Sequence, residues 1–242
     1  MIHHTRSHSW QRAGALLALG LVLAALLFTP QAYAAGGCFN DTAAGRAQGT
    51  VVLDPGHGAG DPGARVTTSQ GELLEKNLNL DIAGRARDLL TAQGYRVCLT
   101  RVDDTTNPTN TQRAQYANSV SGKVLLLIHL NGSSNPSVNY TETFWGKKNK
   151  DLAFSQWMYN ALYPALDDVN WDGTRDYQVS GAGVGQFASG ALLKSNMPAT
   201  LAESVFLTNS AEAERLLNTS ATGRRQQIAA ALAQGIRTWL TR

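Results

Sequence analysis

Residues 123–130 read Lys-Val-Leu-Leu-Leu-Ile-His-Leu. A continuously apolar run this short is the signature of a strand covered on both faces. Such a strand needs helices above and below its sheet, which restricts the chain to a layered α/β arrangement. Residues 50–54 form a second short apolar run, closed by a turn rich in Gly and Pro. Between the two lie a helical stretch over 73–93, an alternating strand over 95–100 and a second helical stretch over 108–118. In the first helix Leu74, Leu78, Ile82 and Leu89 share a stripe and Gly94 supplies the stop. Strands and helices alternating at this spacing give a mostly parallel sheet with right-handed crossovers. The expected fold is a single three-layer αβα domain.

The remainder extends that plan. A polar loop is expected over 66–71 and another over 131–140, followed by a strand at 141–145 and a helix at 150–166. A Gly-rich loop follows over 167–190, then two strands at 191–193 and 200–203 around Pro198, and a short helix at 211–217. The C-terminal helix, 223–240, carries Ile228, Leu232, Ile236 and Leu240 on one stripe. With no repeat and no linker after residue 50, residues 50–242 read as one catalytic domain.

The first 34 residues resemble a secretory signal peptide: Arg6 and Arg12 precede an uncharged apolar run, 13–28, and Ala32-Tyr33-Ala34 gives a cleavage site. The run is also near the length of a membrane anchor, but Pro30 and the A-x-A site favour removal. No stable membrane insertion is expected afterwards. Ala35-Gly36-Gly37 lacks the large aliphatic residue that lipidation of Cys38 requires. Residues 35–49 read as an N-terminal lead-in. The expected location is outside the cytoplasm, periplasmic or at the cell wall. In that setting Cys38 and Cys98 can pair, which would pin the lead-in to a strand. Formal net charge is +3, and loss of Arg6 and Arg12 leaves +1. No basic face is evident, so nucleic acid is excluded as a partner.

Without the signal, His57 and His129 are the only histidines of the chain. Each stands at the carboxyl end of an expected parallel strand, the edge where open α/β sheets place ligands. A lone histidine there is more often structural; two at matching strand ends, with carboxylates nearby, point to a metal pair. Catalytic zinc takes three protein donors and keeps one position open. Glu72 and Glu75 both stand near the start of the first helix. Glu75 shares the stripe of Leu78 and Ile82, although an acidic residue in a first turn also has an ordinary explanation in the helix dipole. Glu203 interrupts the apolar stretch 198–207. A carboxylate there needs a partner, either a cation such as Lys194 or a reaction that uses its raised pKa. Tyr140, Phe144, Trp145, Trp157 and Trp171 either pack or line a groove, with packing favoured for most.

From Val51 onward the chain resembles the zinc-dependent N-acetylmuramoyl-L-alanine amidases, the amidase-3 family of cell-wall hydrolases. The resemblance is carried by Leu53-Asp54-Pro55-Gly56-His57-Gly58, Glu75-Lys76-Asn77-Leu78-Asn79-Leu80, Leu99-Thr100-Arg101 with Asp104, and Arg113 with Ala117-Asn118. It continues through Ile128-His129-Leu130-Asn131 and Pro198 to Asn209. It implies that His57, Glu75 and His129 bind Zn2+ and that Glu203 is the catalytic acid/base, and it resolves Glu75 against Glu72. Two positions depart from the usual pattern: Ser121-Gly122-Lys123 before the second histidine's strand, and Val205 where Gly is frequent. The implied reaction is hydrolysis of the amide between N-acetylmuramic acid and L-alanine of the stem peptide by zinc-activated water. The implied partner is peptidoglycan, acted on by a monomer; no protein activator can be read from the sequence. A peptidase of the same wall and a non-catalytic wall-binding relative are the competing readings, the second disfavoured because all four site residues are present.

Overall fold

The computed structural model of the chain describes residues 36–166 and 183–242. The expected signal peptide, Trp171 and most of the Gly-rich loop lie outside the described residues. In chain order the elements are β1 (Gly37–Phe39), α1 (Ala43–Gln48), β2 (Thr50–Pro55), β3 (Arg65–Thr68), β4 (Gly71–Leu74), α2 (Glu75–Ala92), β5 (Arg96–Leu99) and α3 (Asn110–Ser119). They continue with β6 (Val124–Asn131), β7 (Glu142–Trp145), α4 (Lys148–Leu166), β8 (Val184–Gln186), α5 (Gly190–Lys194), β9 (Ala199–Phe206), α6 (Ser210–Leu217) and α7 (Arg224–Leu240).

The main sheet has the order β1-β5-β2-β6-β9-β7-β8. Its centre, β5-β2-β6-β9, is parallel throughout. β1 and β7 run antiparallel to their neighbours β5 and β9. The fold is thus the expected three-layer arrangement around a mostly parallel sheet. Alternate residues face opposite layers. Val51, Leu53, Leu126, Ile128 and Leu130 join α2, α4 and α7 in the larger core. Val52, Leu125, Leu127, Ala199 and Leu201 join α3 and α5 in the smaller one. Leu126 is wholly buried, so Leu126→Ala would cost about 2–5 kcal/mol. Among the described residues, no helix is long and apolar enough to cross a membrane.

Several local expectations are corrected. The stretch 66–71 is not a loop but most of a hairpin: 66–68 lie in β3, the chain reverses at 69–70, and β4 opens at Gly71 with φ 115°. Leu73 and Leu74 complete β4, so the helix begins at Glu75 rather than 73. Ala191-Leu192-Leu193 lies in helix α5, capped by the Ser189 side chain; a three-residue apolar run carries no period, and the cap was the better signal. The expected loop 167–190 contains β8. The lead-in is part of the fold: Cys38 stands opposite Cys98 in the β1/β5 ladder, and the two form a disulfide.

Candidate metal centre

The backbone is least ordinary just after β2. His57 has φ 62° and Ala59 has φ 45°. The left-handed region costs a non-Gly residue about 1–2 kcal/mol. Two guanidinium groups outweigh that cost. Arg101 donates from Nε to Pro55 O and from Nη2 to Gly56 O, both at 3.0 Å. Arg113 donates from Nη1 to Pro55 O at 2.9 Å and from Nη2 to His57 O at 3.0 Å. Three consecutive carbonyls therefore end on two cations, and a hydrogen bond to a charged group contributes about 1.5–3 kcal/mol. Arg113 is itself seated by Asp54 at 2.6 Å, Asn107 at 2.8 Å and Pro108 O at 2.8 Å. The Asp54-Pro-Gly-His and Arg113 motifs are thus two halves of one clamp.

The clamp aims the His57 ring at the first residue of α2. His57 Nε2 is 3.1 Å from Glu75 Oε2, and His129 Nδ1 is 3.0 Å from Glu75 Oε1. The same carboxylate accepts from Ala64 N at 2.8 Å, Asn79 Nδ2 at 3.0 Å and Leu130 N at 3.2 Å. Burial alone would raise the Glu75 pKa. The hydrogen bonds and charges of His129 and His57 outweigh it and hold the group below the usual carboxylate range. Donor atoms of His57, Glu75 and His129 all lie within 4.8 Å of one another. Glu72, by contrast, is exposed on β4, 3.9 Å from Arg65.

Two glycines make the cluster possible. A Cβ on Gly56 would fall 2.3 Å from His129 Nε2, and one on Gly63 would fall 2.4 Å from Glu75 Oε2. The far side of His57 is also set: Nδ1 lies 2.9 Å from Asp61 Oδ2. A carboxylate on the outer ring nitrogen is the usual companion of a metal-binding imidazole and leaves Nε2 for the ion. Burial works against a charged His57 ring, but Glu75 and Asp61 outweigh it and raise its pKa. Two neutral nitrogens and one anionic oxygen suit zinc, with a fourth position left for water or substrate. The donor set and the cradle around it fit that ion.

Glu203 stands beside this cluster. It pairs in register with His129 on one side and Glu142 on the other, so the three side chains lie in one row across β6, β9 and β7. Its Oε2 is shielded from solvent and has no hydrogen-bond partner. Lys194, the cation considered from sequence, instead donates to Thr111 Oγ1 at 2.7 Å. Burial, then the negative charges of Glu75 and Glu142, push the Glu203 pKa well up. Of the aromatic residues, Trp157 and Tyr140 pack: Trp157 Nε1 donates to Gly235 O at 3.1 Å, and Tyr140 meets Phe206 with centroids 4.4 Å apart. Phe144 packs against the smaller core.

Sequence reasoning missed Asp61, Asn79 and Glu142. Asp61 and Asn79 each stand four residues after a singled-out site residue, a spacing that could have flagged both. Nothing local marks Glu142; it is brought to Glu203 by strand order alone.

Residues 51–238 match the family described as N-acetylmuramoyl-L-alanine amidase. The chain is 36% identical over 167 residues to "N-acetylmuramoyl-L-alanine amidase LytC" of Bacillus subtilis, a match covering 69% of this chain and 31% of LytC. It is 30% identical over 182 residues to the "Germination-specific N-acetylmuramoyl-L-alanine amidase" of the same organism, covering 69% of this chain and 70% of that protein. The chain thus spans about a third of LytC and about two thirds of the second relative. Among solved structures, the catalytic domain of CwlV, an N-acetylmuramoyl-L-alanine amidase from Bacillus (Paenibacillus) polymyxa var. colistinus, superposes with TM-score 0.67 at 29% identity, covering 80% of this chain and 98% of that one. The matched span runs through the sheet from Val51 in β2 to β9 and contains all five residues of the row and cluster just described, so this chain belongs to the N-acetylmuramoyl-L-alanine amidase family, a family of cell-wall hydrolases.

Proposed function

We propose that this protein cleaves the amide between N-acetylmuramic acid and the L-alanine of the stem peptide, with His57, Glu75 and His129 holding Zn2+ and Glu203 acting as general base and then general acid. The observation that carries this reading is the convergence of three donors within 4.8 Å beside a buried carboxylate oxygen with no partner. Zinc, when bound, polarises a carbonyl and lowers the pKa of water. Glu203 accepts the proton of the attacking water and returns it to the departing amine. Its raised pKa suits both transfers, because a carboxylate of ordinary pKa is a weak base and gives up the proton too early to reach an amine. Glu75 stays anionic under the hydrogen bonds it accepts and so serves as a ligand. Asp61 holds the His57 tautomer.

Export accords with a wall substrate, and the Cys38–Cys98 bridge supports an oxidising compartment. Digestion of purified sacculi followed by mass spectrometry tests the reaction. The expected products are intact stem peptides with a free N-terminal L-alanine; cuts within the stem would instead make the protein a peptidase. Elemental analysis of the purified protein is expected to find one zinc per chain, lost on chelation together with activity and restored by zinc. Protein active without stoichiometric metal would overturn the ligand assignment.

A further inference from the structure

A cavity of about 340 Å³ opens from the metal centre along the face of the sheet that carries α3 and α5. His57 and His129 form its inner end, and Leu127 and Leu201 its floor. This volume falls within the range of small-molecule sites, roughly 300–1,000 Å³, and accommodates one pyranose ring with an acetamido arm. One wall is the segment leading into α3, with Asn107, Thr109 and Asn110; the other is the connection from β8 to α5, with Phe187.

Phe187 is the least expected part of this wall. It is 50% exposed although the core packs large apolar side chains away from water almost everywhere else. Its position is held from behind: its N–H donates to Trp145 O at 2.9 Å, and its ring leans on Phe144 with centroids 6.0 Å apart. The ring is a supported platform at the mouth of the site. The polar side chains opposite are amides and a hydroxyl. The cation at the cavity, Arg113, spends its guanidinium on Asp54, Asn107 and the carbonyls of Pro55, His57 and Pro108. The carboxylate at the cavity, Asp61, adds negative charge.

An aromatic platform facing neutral amides, with an anion and, among the described residues that line it, no uncommitted cation, disfavours an acidic peptide and favours an uncharged ring that offers an apolar C–H face and amide and hydroxyl groups. Resting on the amidase reading above, we propose that this cavity receives a sugar of the N-acetylated glycan, with Phe187 as the stacking surface and Asn110 as its hydrogen-bond partner. The stem peptide then occupies a different part of the site.

The two halves of the substrate separate the possibilities. Sacculus hydrolysis is measured in the presence of peptide-free N-acetylated glycan oligomers or of free stem peptide. Wild-type enzyme is expected to be inhibited competitively by the oligomers. Phe187→Ala is expected to weaken that inhibition roughly tenfold while leaving inhibition by the peptide unchanged. Phe187→Tyr, which keeps a flat ring, is expected to restore it. Loss of peptide inhibition with glycan inhibition intact would assign the cavity to the stem and overturn the proposal. So would equal inhibition of wild type and Phe187→Ala by the oligomers, or an active wild type that the oligomers do not slow. A folded, zinc-loaded wild type that hydrolyses no sacculi would fail at the earlier step and take down the amidase reading as well.

Discussion

Glu75 and Glu203 are two carboxylates at the same edge of one sheet, and their surroundings drive them apart. Glu75 is the first residue of a helix and accepts from two backbone amides and an Asn side chain, with an imidazole against each oxygen. Those groups hold its pKa down against its own burial. Glu203 lies in a strand between His129 and Glu142, and one of its oxygens meets no donor at all. Burial and the like charges of Glu75 and Glu142 push its pKa up. The contrast supports the proposed division of labour, in which the satisfied carboxylate stays anionic and the bare one carries a proton. A site that separates the pKa values of neighbouring acids has separated their roles.

Replacing each by its amide tests the contrast most severely. Glu203→Gln keeps shape but cannot take a proton; kcat is expected to fall about 10²–10⁴-fold with zinc content unchanged. Glu75→Gln is expected to lose activity by losing zinc, seen in elemental analysis. If both variants keep their metal, or both lose it, the division of roles is wrong.

The clamp behind the ligands comes next. Arg113→Ala leaves Asp54 buried without its cation, which costs about 3–5 kcal/mol in stability. It also frees the His57 carbonyl, so zinc affinity is expected to fall in the fraction that still folds. Denaturant melts and competitive zinc titration read the two effects separately. Unchanged zinc affinity would mean that the His57 turn does not depend on the clamp.

Asp61→Asn is milder, because it keeps an acceptor for His57 Nδ1 and loses only the charge. Zinc affinity is expected to drop about 10–100-fold, with little change in folding stability. An unaltered affinity would make Asp61 a turn residue only.

The smallest effect lies far from the metal. Asp41 accepts from Arg46 and Arg96, both at 2.6 Å, joining the lead-in to β5. Those hydrogen bonds lower its pKa from 3.8 to about 2. A carboxylate whose folded pKa lies below its unfolded one stabilises the fold above the unfolded value, and that contribution disappears as pH falls through the folded value. The acid-unfolding curve is therefore expected to lose part of its slope between pH 4 and about 2 in Asp41→Asn, while activity on sacculi is unaffected. A change in activity would tie the lead-in to the site.

Much of this site was legible because its parts obey local rules. His57 and His129 end short apolar runs, and runs of that kind become parallel strands whose carboxyl ends share one edge. Glu75 begins a helix and shares its inward stripe. Glu203 stood out because a carboxylate in an apolar wall is costly. Periodicity, turn chemistry and the cost of burying charge singled these residues out, while the choice of Glu75 over Glu72 and the acid/base role of Glu203 rested on the resemblance to the family. The helix at 190–194 and the hairpin at 65–74 were misread for the same reason: segments of four or five residues carry too little period to tell helix, strand and loop apart.

By itself, then, the sequence determined a parallel α/β sheet with two histidines and a buried acid at one edge. Tertiary structure decided the rest. Strand order set Glu142 against Glu203 from 61 residues away in the chain, and two arginines from separate motifs converged on three consecutive carbonyls. Packing also left Phe187 open beside the candidate metal centre. Each of these depends on which distant segments become neighbours. That is settled by burial of the whole sheet between its helices, which no single stretch of sequence encodes.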